Sequence, residues 1–235
     1  MNVLITGASQ GIGKEIALDV AKRTNGTIIL LSRDIIKLDA VKSICKEEGV
    51  KAKIVTVPFD ITQIEDVHLF PKVDEYVDHL DVIINNAGYL AREKFTATTN
   101  QDARLMFEVN FFGVATLIKQ LMPLLKASKH AHVVNIGSMA GFQGSVKFPG
   151  LSYYSASKAA LAALTECLTQ EYKEDKIVFN CLALGAVQTE MLAKAFPGYQ
   201  APVKPSEMGH FVGDFAIKGW RYFSGRTIPV SFSTP

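Results

Sequence analysis

The sequence predicts a single α/β domain in which a doubly wound parallel sheet carries helices on both faces. Short apolar runs alternate with longer amphipathic stretches, which is the pattern of buried parallel strands joined by crossover helices. The chain has 235 residues and is 48% hydrophobic, which is enough to form one core. No linker, repeat or low-complexity tract interrupts the pattern, so residues 1–235 are expected to form one domain.

The elements follow from this alternation in chain order. The predicted strands are the apolar runs at residues 3–5, 28–31, 54–58, 82–85, 133–136 and 177–182, with 228–232 as a last edge strand. The predicted helices cover residues 11–24, 34–48, 63–78, 100–127, 152–174 and 205–218. Residues 189–204 mix Pro and Gly with large apolar side chains, and this composition predicts a mobile, apolar loop.

Composition and charge exclude several classes of function. The formal net charge is +2 and no block of five Lys or Arg residues occurs, which argues against nucleic-acid binding. Cys45, Cys167 and Cys181 are odd in number and widely spaced, so neither a disulfide framework nor a zinc site is expected. We find no secretion signal at Met1 and expect no bilayer-spanning stretch. The expectation is a cytoplasmic protein that acts on a small molecule.

The histidines predict no metal site. The five His residues show no HExxH or comparable spacing. His130 and His132 fall at a predicted helix-to-strand turn, where we expect both to be solvated. No bound metal ion is therefore expected.

Three glycines mark the connection from the first strand to the first helix. Gly7, Gly11 and Gly13 would let this turn be tight and let the backbone approach a pyrophosphate at the helix N-terminus. Their spacing differs from G-x-G-x-x-G. The alternative is a plain strand-to-helix turn.

Tyr154 and Lys158 stand one helical turn apart, so their side chains lie side by side. Tyr153 would point about 140° away from Lys158 around the helix, and the spacing therefore selects Tyr154. An ammonium and a cationic nicotinamide would each favour the phenolate and lower the pKa of Tyr154, making it a usable proton donor and acceptor. The alternative is an ordinary surface pair.

The end of the second strand predicts which dinucleotide binds. A carboxylate there accepts a hydrogen bond from a ribose 2′-hydroxyl, whereas a guanidinium accommodates a 2′-phosphate. Ser32 occupies the usual position of the acid and Arg33 follows it, so NADP(H) is preferred over NAD(H). Asp34 could face the ribose or could cap the next helix. Gln10 stands where many NADP-preferring proteins have a basic residue.

These motifs together resemble the short-chain dehydrogenase/reductase family. The resemblance runs from Met1 to about Thr189, and it rests on order and spacing. The motifs that carry it are the Thr6-Gly7-x-x-x-Gly11-x-Gly13 turn, Asn85-Asn86-Ala87-Gly88, Asn110, Ser138 and the pair Tyr154 and Lys158. The resemblance implies a Rossmann-type fold and a nicotinamide cofactor.

The resemblance also implies the residues of the cofactor site. Asp60 resembles the residue that bonds the adenine amino group, but it could equally cap the following helix. Residues 86–88 resemble the segment beside the adenosine ribose, although asparagines there could only satisfy buried backbone groups. Residues 185–189 resemble the segment that holds the nicotinamide carboxamide, and relatives usually have Pro-Gly where this chain has Leu184-Gly185. The full expected set is Gly7, Ser9, Gln10, Gly11, Ile12, Gly13, Ser32, Arg33, Asp60, Ile61, Asn86, Ala87, Gly88, Tyr154, Lys158, Gly185, Val187 and Thr189.

Four residues carry the catalytic roles that the resemblance implies. Ser138 would donate a hydrogen bond to the substrate carbonyl oxygen as negative charge develops there. Tyr154 would exchange a proton with that oxygen. Lys158 would lower the pKa of Tyr154 and bind the nicotinamide ribose, and Asn110 would hold a water molecule that links Lys158 to solvent.

Clues to the substrate come from apolar residues near these positions. Phe142, Phe148, Leu151, Met191, Leu192 and Phe196 predict a mostly apolar pocket that suits an acyl chain, although they could be ordinary loop anchors. Lys126, Lys129, Lys173 and Lys176 fall near the basic patch of acyl-carrier-protein reductases of the family. Lysines at helix C-termini also favour the helix dipole without any partner.

The resemblance is closest in pattern to 3-oxoacyl-(acyl-carrier-protein) reductases. Alternative functions are oxidoreduction of a sugar, polyol, pterin or other small ketone or alcohol, and dinucleotide sensing without turnover. A homo-oligomer, dimer or tetramer, is expected. The C-terminal strand lacks the acidic-Gly-Gly sequence with which relatives commonly end it, and this edge often builds a subunit interface in the family.

Overall fold

The computed structural model describes residues 1–64 and 66–232, and it shows a single domain with a Rossmann-like fold. One sheet of seven parallel strands has the order β3-β2-β1-β4-β5-β6-β7. The strands are β1 (Val3–Thr6), β2 (Thr27–Ser32), β3 (Lys53–Pro58), β4 (Val82–Asn85), β5 (His132–Ser138), β6 (Val178–Leu184) and β7 (Arg226–Val230). The predicted fold class is confirmed.

Helices cover both faces of this sheet. They are α1 (Gly11–Arg23), α2 (Ile35–Glu47), α3 (Phe70–Asp74), α4 (Asn100–Phe107), α5 (Gly113–Lys126), α6 (Ser152–Glu171), α7 (Glu190–Ala195) and α8 (Pro205–Lys218). Val3 and Ile5 pack into the core beneath α1, α2 and α8, whereas Leu4 packs into the core beneath α3, α5 and α6. The side chains of β1 therefore alternate between two cores, which explains why residues 3–5 are all apolar.

The strand order reverses between β1 and β4. β2 and β3 lie on one side of β1, and β4 to β7 lie on the other. In a sheet of this kind the loops after the two central strands diverge and leave a crevice at the carboxyl edge. The topology therefore fixes where a ligand site can form.

The helix predicted at residues 100–127 contains a turn of π-helix. α4 and α5 are continuous through Glu108–Phe112, which makes one helix from Asn100 to Lys126. Its length and apolar composition are by themselves sufficient to cross a membrane, which corrects the sequence expectation that no segment meets that criterion. Leu117, Leu121 and Leu125 on this helix are fully buried in the core, and a core helix meets the same criterion.

The helix predicted at residues 63–78 was wrong. The chain instead forms a 3₁₀ turn at Ile61–Gln63 and the short helix α3, and residue 65 lies outside the described residues. Pro71 explains the break, because proline in a helix interior removes a hydrogen bond and clashes with the preceding turn. The side chain of Gln120 holds the connection by accepting from the Leu69 amide at 2.6 Å and donating to the Ile64 carbonyl at 2.7 Å.

The observed strands begin and end within two residues of the predicted bounds, and β6 and β7 show this clearly. β6 begins at Val178 and continues to Leu184, two residues beyond the predicted end. β7 covers Arg226–Val230 rather than 228–232, since its register pairs Asn180 with Arg226 on the neighbouring strand. The shift of β6 extends that strand towards the carboxyl edge of the sheet, and the shift of β7 moves that strand away from this edge. Neither shift changes the strand order.

His132 corrects the expectation that both histidines of this turn are solvated. Its side chain is fully buried at the start of β5, while His130 is exposed and stacks on Trp220. Its Nδ1 donates to the Ala216 carbonyl at 2.9 Å, because a carbonyl can only accept, and its Nε2 then accepts from Asn180 at 3.1 Å. Burial lowers the pKa of His132 to about 4. The ring is therefore a neutral core group.

We predict that this histidine makes stability depend on pH. An unfolded chain protonates the ring below its usual pKa of 6.5, whereas the folded chain resists protonation down to about 4. Stability is therefore fully present above pH 6.5 and is lost as pH falls towards 4, by on the order of 3 kcal/mol. Urea unfolding across this window should show a smaller loss in His132→Gln than in wild type. His130→Gln is the control, and an unchanged slope in His132→Gln would contradict the prediction.

Candidate active site

A cleft of about 470 Å³ opens at the carboxyl edge of the sheet, where the crossover loops diverge. Every residue expected at the cofactor site lines this one cleft, and so do Ser138, Tyr154 and Lys158. Asn110 is the exception among the expected site residues, because its side chain is fully buried behind the wall. The motifs that are dispersed along the chain therefore converge in space, while their individual roles stay predictions.

The glycine turn after β1 packs directly on the loop after β4. The Asn86 side-chain amide donates to the carbonyls of Thr6 and Gly7 at 3.0 and 3.2 Å, and the Ala87 amide donates to the Thr6 hydroxyl at 2.9 Å. A Cβ on Gly13 would overlap the Gly7 carbonyl oxygen and the Asn86 side chain. Asn86 therefore satisfies backbone groups, as the structural alternative proposed, and the turn depends on small residues for its close approach.

The N-terminus of α1 faces the cleft with free amides. Its N-cap residue, Gln10, makes no side-chain capping bond, so the amides of the first turn keep their hydrogens for an outside acceptor. These amides and the positive end of the helix dipole favour an anion. Gly11, Ile12 and Gly13 of this turn line the cleft, which fits the pyrophosphate of a dinucleotide.

At the end of β2, the acidic side chain turns away from the cleft. Asp34 caps α2 by accepting from the Lys37 amide at 3.0 Å, so the capping alternative is confirmed. Ser32 donates to the Ser9 hydroxyl at 2.8 Å, and Arg33 lines the cleft. The cleft-facing residues at this end are thus neutral or cationic.

Sequence reasoning missed a second cation at this end, Lys37. Its ammonium donates to the side chain of Gln10 at 2.9 Å and so lies over the glycine turn, at the position where a basic residue was missing from the motif. The signal was present in the Asp34 N-cap, because a helix that starts after residue 34 puts Lys37 in its first turn.

Asp60 likewise acts as a cap. Its Oδ1 accepts from the amide and the hydroxyl of Thr62 at 3.0 and 2.8 Å, which starts the 3₁₀ turn. Asp60 also lines the cleft. The capping alternative is therefore confirmed, and the contact with adenine stays a prediction.

The proton-transfer residues meet where α6 crosses the end of β5. The Ser138 hydroxyl is hydrogen bonded to the Tyr154 phenol and accepts from the Ala140 amide at 3.1 Å. The Lys158 ammonium donates to the Ile136 carbonyl at 2.8 Å. Tyr153 stacks on Phe95 with ring centroids 5.5 Å apart, so helical spacing selected the tyrosine that lines the cleft.

Burial controls the titration of this group. It raises the pKa of the Tyr154 phenol above 10.0, and the hydrogen bond to Ser138 opposes this rise in part. It lowers the pKa of the Lys158 ammonium to about 8, and that of the neighbouring Cys181 thiol is raised to about 11, so the thiol is neutral at pH 7. Burial therefore outweighs any lowering of the Tyr154 pKa in the protein by itself, and the expected effect of Lys158 stays a prediction.

Asn110 holds the loop after β4 against α6. Its Oδ1 accepts from the Tyr89 amide at 2.9 Å, and its Nδ2 donates to the Tyr89 carbonyl at 2.9 Å and to Ser157 Oγ at 3.0 Å. The π turn Glu108–Phe112 is the irregularity that turns this side chain into the protein. The side-chain amide of Asn110 is therefore hydrogen bonded to protein atoms through both its nitrogen and its oxygen. The expected link through a water molecule to Lys158 stays a prediction.

Part of the cleft lining is apolar. Phe148, Leu151, Met191, Leu192 and Phe196 line the cleft as expected, together with Leu90, Leu105 and Val109, which sequence reasoning missed. The rings of Phe148 and Phe196 meet edge to face and mark the apolar end of the cleft. Phe142 does not line it. The carbonyl of Phe142 instead accepts from Lys147 and Ser145, which anchors the loop that follows Ser138.

The segment predicted as a loop at residues 189–204 contains the helix α7. Thr189 caps this helix by accepting from the Leu192 amide at 3.2 Å. Val187 forms a parallel bridge with Val203, and the Gln188 side chain accepts from the Ala201 amide at 2.7 Å. The segment is therefore closed at its base and presents α7 to the cleft.

The four lysines considered for carrier-protein docking lie away from the cleft. Lys126 is the last residue of α5, and the other three follow the C-termini of α5 and α6. These helix ends precede the N-terminal ends of β5 and β6, at the opposite edge of the sheet. Lys126 is paired with Asp175 at 3.1 Å. A partner bound to these lysines would be separated from the cleft of the same chain by the length of the strands.

Comparisons with known proteins agree with this geometry. A family model described as short chain dehydrogenase matches residues 1–200. The chain is 33% identical over 193 residues to a fatty acyl-CoA reductase of Acinetobacter baylyi, covering 81% of this chain and 63% of that protein, less than two thirds of its length. It is 32% identical over 202 residues to an NADP-dependent 3-hydroxy acid dehydrogenase of Schizosaccharomyces pombe, covering 83% of this chain and 75% of that protein.

A solved structure shares the whole fold. The 3-oxoacyl-[acyl-carrier protein] reductase from Brucella melitensis superposes with a TM-score of 0.86 at 24% identity, covering 99% of this chain and 90% of that chain. At this identity the similarity demonstrates the fold alone.

We predict that two glycines of the first turn respond differently to alanine. Gly13→Ala should prevent the turn from closing, since its Cβ would overlap backbone and side-chain atoms that have no room to move. Gly11 has φ +56 and its nearest neighbour is Thr189 Cγ2 at 3.9 Å, so Gly11→Ala should cost only backbone strain of about 1–2 kcal/mol. Urea unfolding and NADPH titration measure both effects. Equal losses in the two variants would contradict the packing argument.

Proposed function

The chain belongs to the short chain dehydrogenase family, and from that premise we propose that it is an NADP(H)-dependent oxidoreductase that interconverts a carbonyl and an alcohol on a substrate with an apolar chain. The observation that carries this proposal is the shared cleft. Tyr154, Ser138 and Lys158 face the same space as the free amides of the α1 N-terminus. A dinucleotide held at those amides would therefore run along the carboxyl edge towards the tyrosine.

The chain's own residues supply the proton chemistry. A bound nicotinamide would supply or accept the hydride. In reduction, Ser138 donates a hydrogen bond to the carbonyl oxygen, and the Ala140 amide holds the Ser138 hydroxyl in place by donating to its oxygen. Tyr154 then transfers its phenolic proton to that oxygen. In oxidation the same proton returns from the alcohol to the phenolate.

Lys158 assists as a buried cation. Its pKa of about 8 keeps the ammonium largely charged at pH 7, and the Ile136 carbonyl orients it on the same helix face as Tyr154. Its remaining hydrogens are available to ribose hydroxyls. The sensor alternative, in which turnover is lost, is disfavoured because the complete set of groups for turnover is present and juxtaposed.

The preference for NADP(H) is supported by charge at the end of β2. Arg33 lines the cleft and Lys37 lies over the glycine turn, while Asp34 caps α2 and stands 4.0 Å from the Lys37 ammonium. Glu190 also lines the cleft and interacts electrostatically with Lys37. A 2′-phosphate would gain two cations there, and Ser32 presents no carboxylate to repel it. The similarity to an enzyme named as NADP-dependent is consistent with this preference.

An acyl-type substrate is supported by the apolar end of the cleft. Phe148, Leu151, Met191, Leu192 and Phe196 make this part of the lining apolar, which would leave the hydroxyls of a sugar or polyol without partners. The name of the fatty acyl-CoA reductase to which the chain is similar points to the same chemical class.

Reduction of a 3-oxoacyl chain on a carrier protein is a second candidate, favoured by the same apolar lining. The lysines expected to dock a carrier lie at the other edge of the sheet, so a carrier bound there could serve only the cleft of a second copy. NADPH oxidation with 3-oxoacyl thioesters, with and without the carrier, distinguishes the two. A strict requirement for the carrier would support the second candidate.

We predict that Tyr154→Phe abolishes turnover without disturbing cofactor binding. The ring remains and only the hydroxyl is lost, so kcat should fall by about 10²–10⁴-fold while the Kd for NADPH stays within a few fold. Tyr153→Phe is the matched control, because that ring stacks on Phe95 outside the cleft. Assays of NADPH oxidation with an aliphatic ketone test both variants. Activity that survives in Tyr154→Phe but not in Tyr153→Phe would refute the assignment.

We predict that Arg33 and Lys37 both contribute to cofactor choice. Each charge-assisted bond to a 2′-phosphate adds roughly 1.5–3 kcal/mol, so Arg33→Gln and Lys37→Gln should each weaken NADPH binding by about tenfold or more. NADH binding should change little. Lys42→Gln, on the exposed side of α2, is the control. Titrations at fixed ionic strength decide the matter, and equal losses for NADPH and NADH would count against a phosphate site.

A further inference from the structure

Arg92 lies where two loops meet at the apolar end of the cleft. It belongs to the loop after β4, and its Nη1 donates to the Ala195 carbonyl at the C-terminus of α7, at 2.9 Å. Its guanidinium carbon also stands 4.2 Å from the centroid of the Phe196 ring. One side chain therefore holds both the last carbonyl of α7 and the aromatic residue that follows it.

The helix α7 needs such an external contact. It has six residues, so nearly all of its carbonyls belong to the last turn, where no intrahelical donor is available. A cation at a helix C-terminus satisfies a carbonyl and complements the dipole. A planar guanidinium can also stack on a ring while it donates, which an ammonium cannot do in the same way.

A third loop, at residues 148–151, completes the contact. The Phe148 ring meets Phe196 edge to face, with centroids 6.2 Å apart and planes at 83°. The Glu93 amide donates to the Gly150 carbonyl at 3.1 Å, next to Arg92. Gly150 has φ +87, and a Cβ there would lie 3.1 Å from Arg92 Cγ, so the arginine side chain passes over the glycine. Phe148 and Phe196 both line the cleft.

We propose that Arg92 is a positioning residue for substrate selection, which fixes Phe196 as the outer wall of the apolar end of the cleft. An apolar chain that extends from the reacting carbonyl would gain contact with this wall only while Phe196 is held. Arg92 stands outside the reacting group and acts through Phe196. The proposal rests on the proposed function for the chemistry of the substrate, and on the contacts of Arg92 for the position of the wall.

The kinetic test uses straight-chain methyl ketones of increasing length with NADPH. Each methylene that is buried against the wall should raise kcat/KM by up to about fourfold. Arg92→Gln should flatten this increase, and Arg92→Lys should restore it only in part, because the ammonium cannot stack as the guanidinium does. Phe196→Leu should also flatten it. The double variant should lose no more than either single variant, since both changes remove one wall.

The matched control is Lys94→Gln. Lys94 lies two residues along the same loop, and its backbone carbonyl accepts from the amides of Ala97 and Thr98 and from the Thr98 hydroxyl. The substitution removes the same charge at the same end of the cleft. The increase of kcat/KM with chain length should match wild type in Lys94→Gln. A chain-length profile that is unchanged in Arg92→Gln, or flattened equally in Lys94→Gln, would overturn the proposal.

Hydrogen exchange separates a failure of this proposal from a failure of the proposed function. Peptides that cover residues 189–199 should exchange faster in Arg92→Gln than in wild type or Lys94→Gln, whether or not any ketone is turned over. If no ketone is reduced but exchange accelerates, the substrate class is wrong and the positioning role of Arg92 is supported. If exchange is unchanged, Arg92 does not hold the wall and the proposal is overturned.

Discussion

The site depends on the burial of the Lys158 ammonium against the end of β5. α6 must approach the turn after that strand closely for Lys158 to reach the Ile136 carbonyl at 2.8 Å. Gly141 permits this approach, because a Cβ there would lie 2.7 Å from the Ala159 amide nitrogen on α6. On the other side of the ammonium, a Cβ on Gly88 would lie 3.7 Å away, which is an ordinary van der Waals contact. The same approach brings Tyr154 to Ser138 and gives Asn110 its partner on α6.

This arrangement has an electrostatic consequence. Burial raises the pKa of Tyr154 and lowers that of Lys158, so it disfavours the charged form of each group. The protein holds the phenol and the ammonium in place but does not by itself make the phenol a ready acid. A positive charge brought into the cleft would favour the phenolate. Burial therefore keeps the phenol protonated in the protein by itself, and a cationic nicotinamide would oppose this effect.

The sequence predicted local features well and long-range ones poorly. Spacing within one or two elements predicted the glycine turn, the strand before it and the choice of Tyr154 over Tyr153. The burial of His132 escaped prediction because its partner, the Ala216 carbonyl, is 84 residues away. Arg92 escaped for the same reason, since its contacts with α7 join loops about 100 residues apart. Pro71 was a local signal for a break in the chain at this point, and the prediction of one helix over residues 63–78 did not take it into account.

Titration of the Tyr154 phenol shows whether the charge of an oxidised nicotinamide completes the buried site. The difference in tyrosinate absorbance between wild type and Tyr154→Phe isolates this group as pH is raised. We expect a midpoint above 10.0 for the protein by itself and a midpoint lower by about one unit or more in the presence of NADP⁺. The same midpoint with and without NADP⁺ would show that the charge of the cofactor does not act on the phenol.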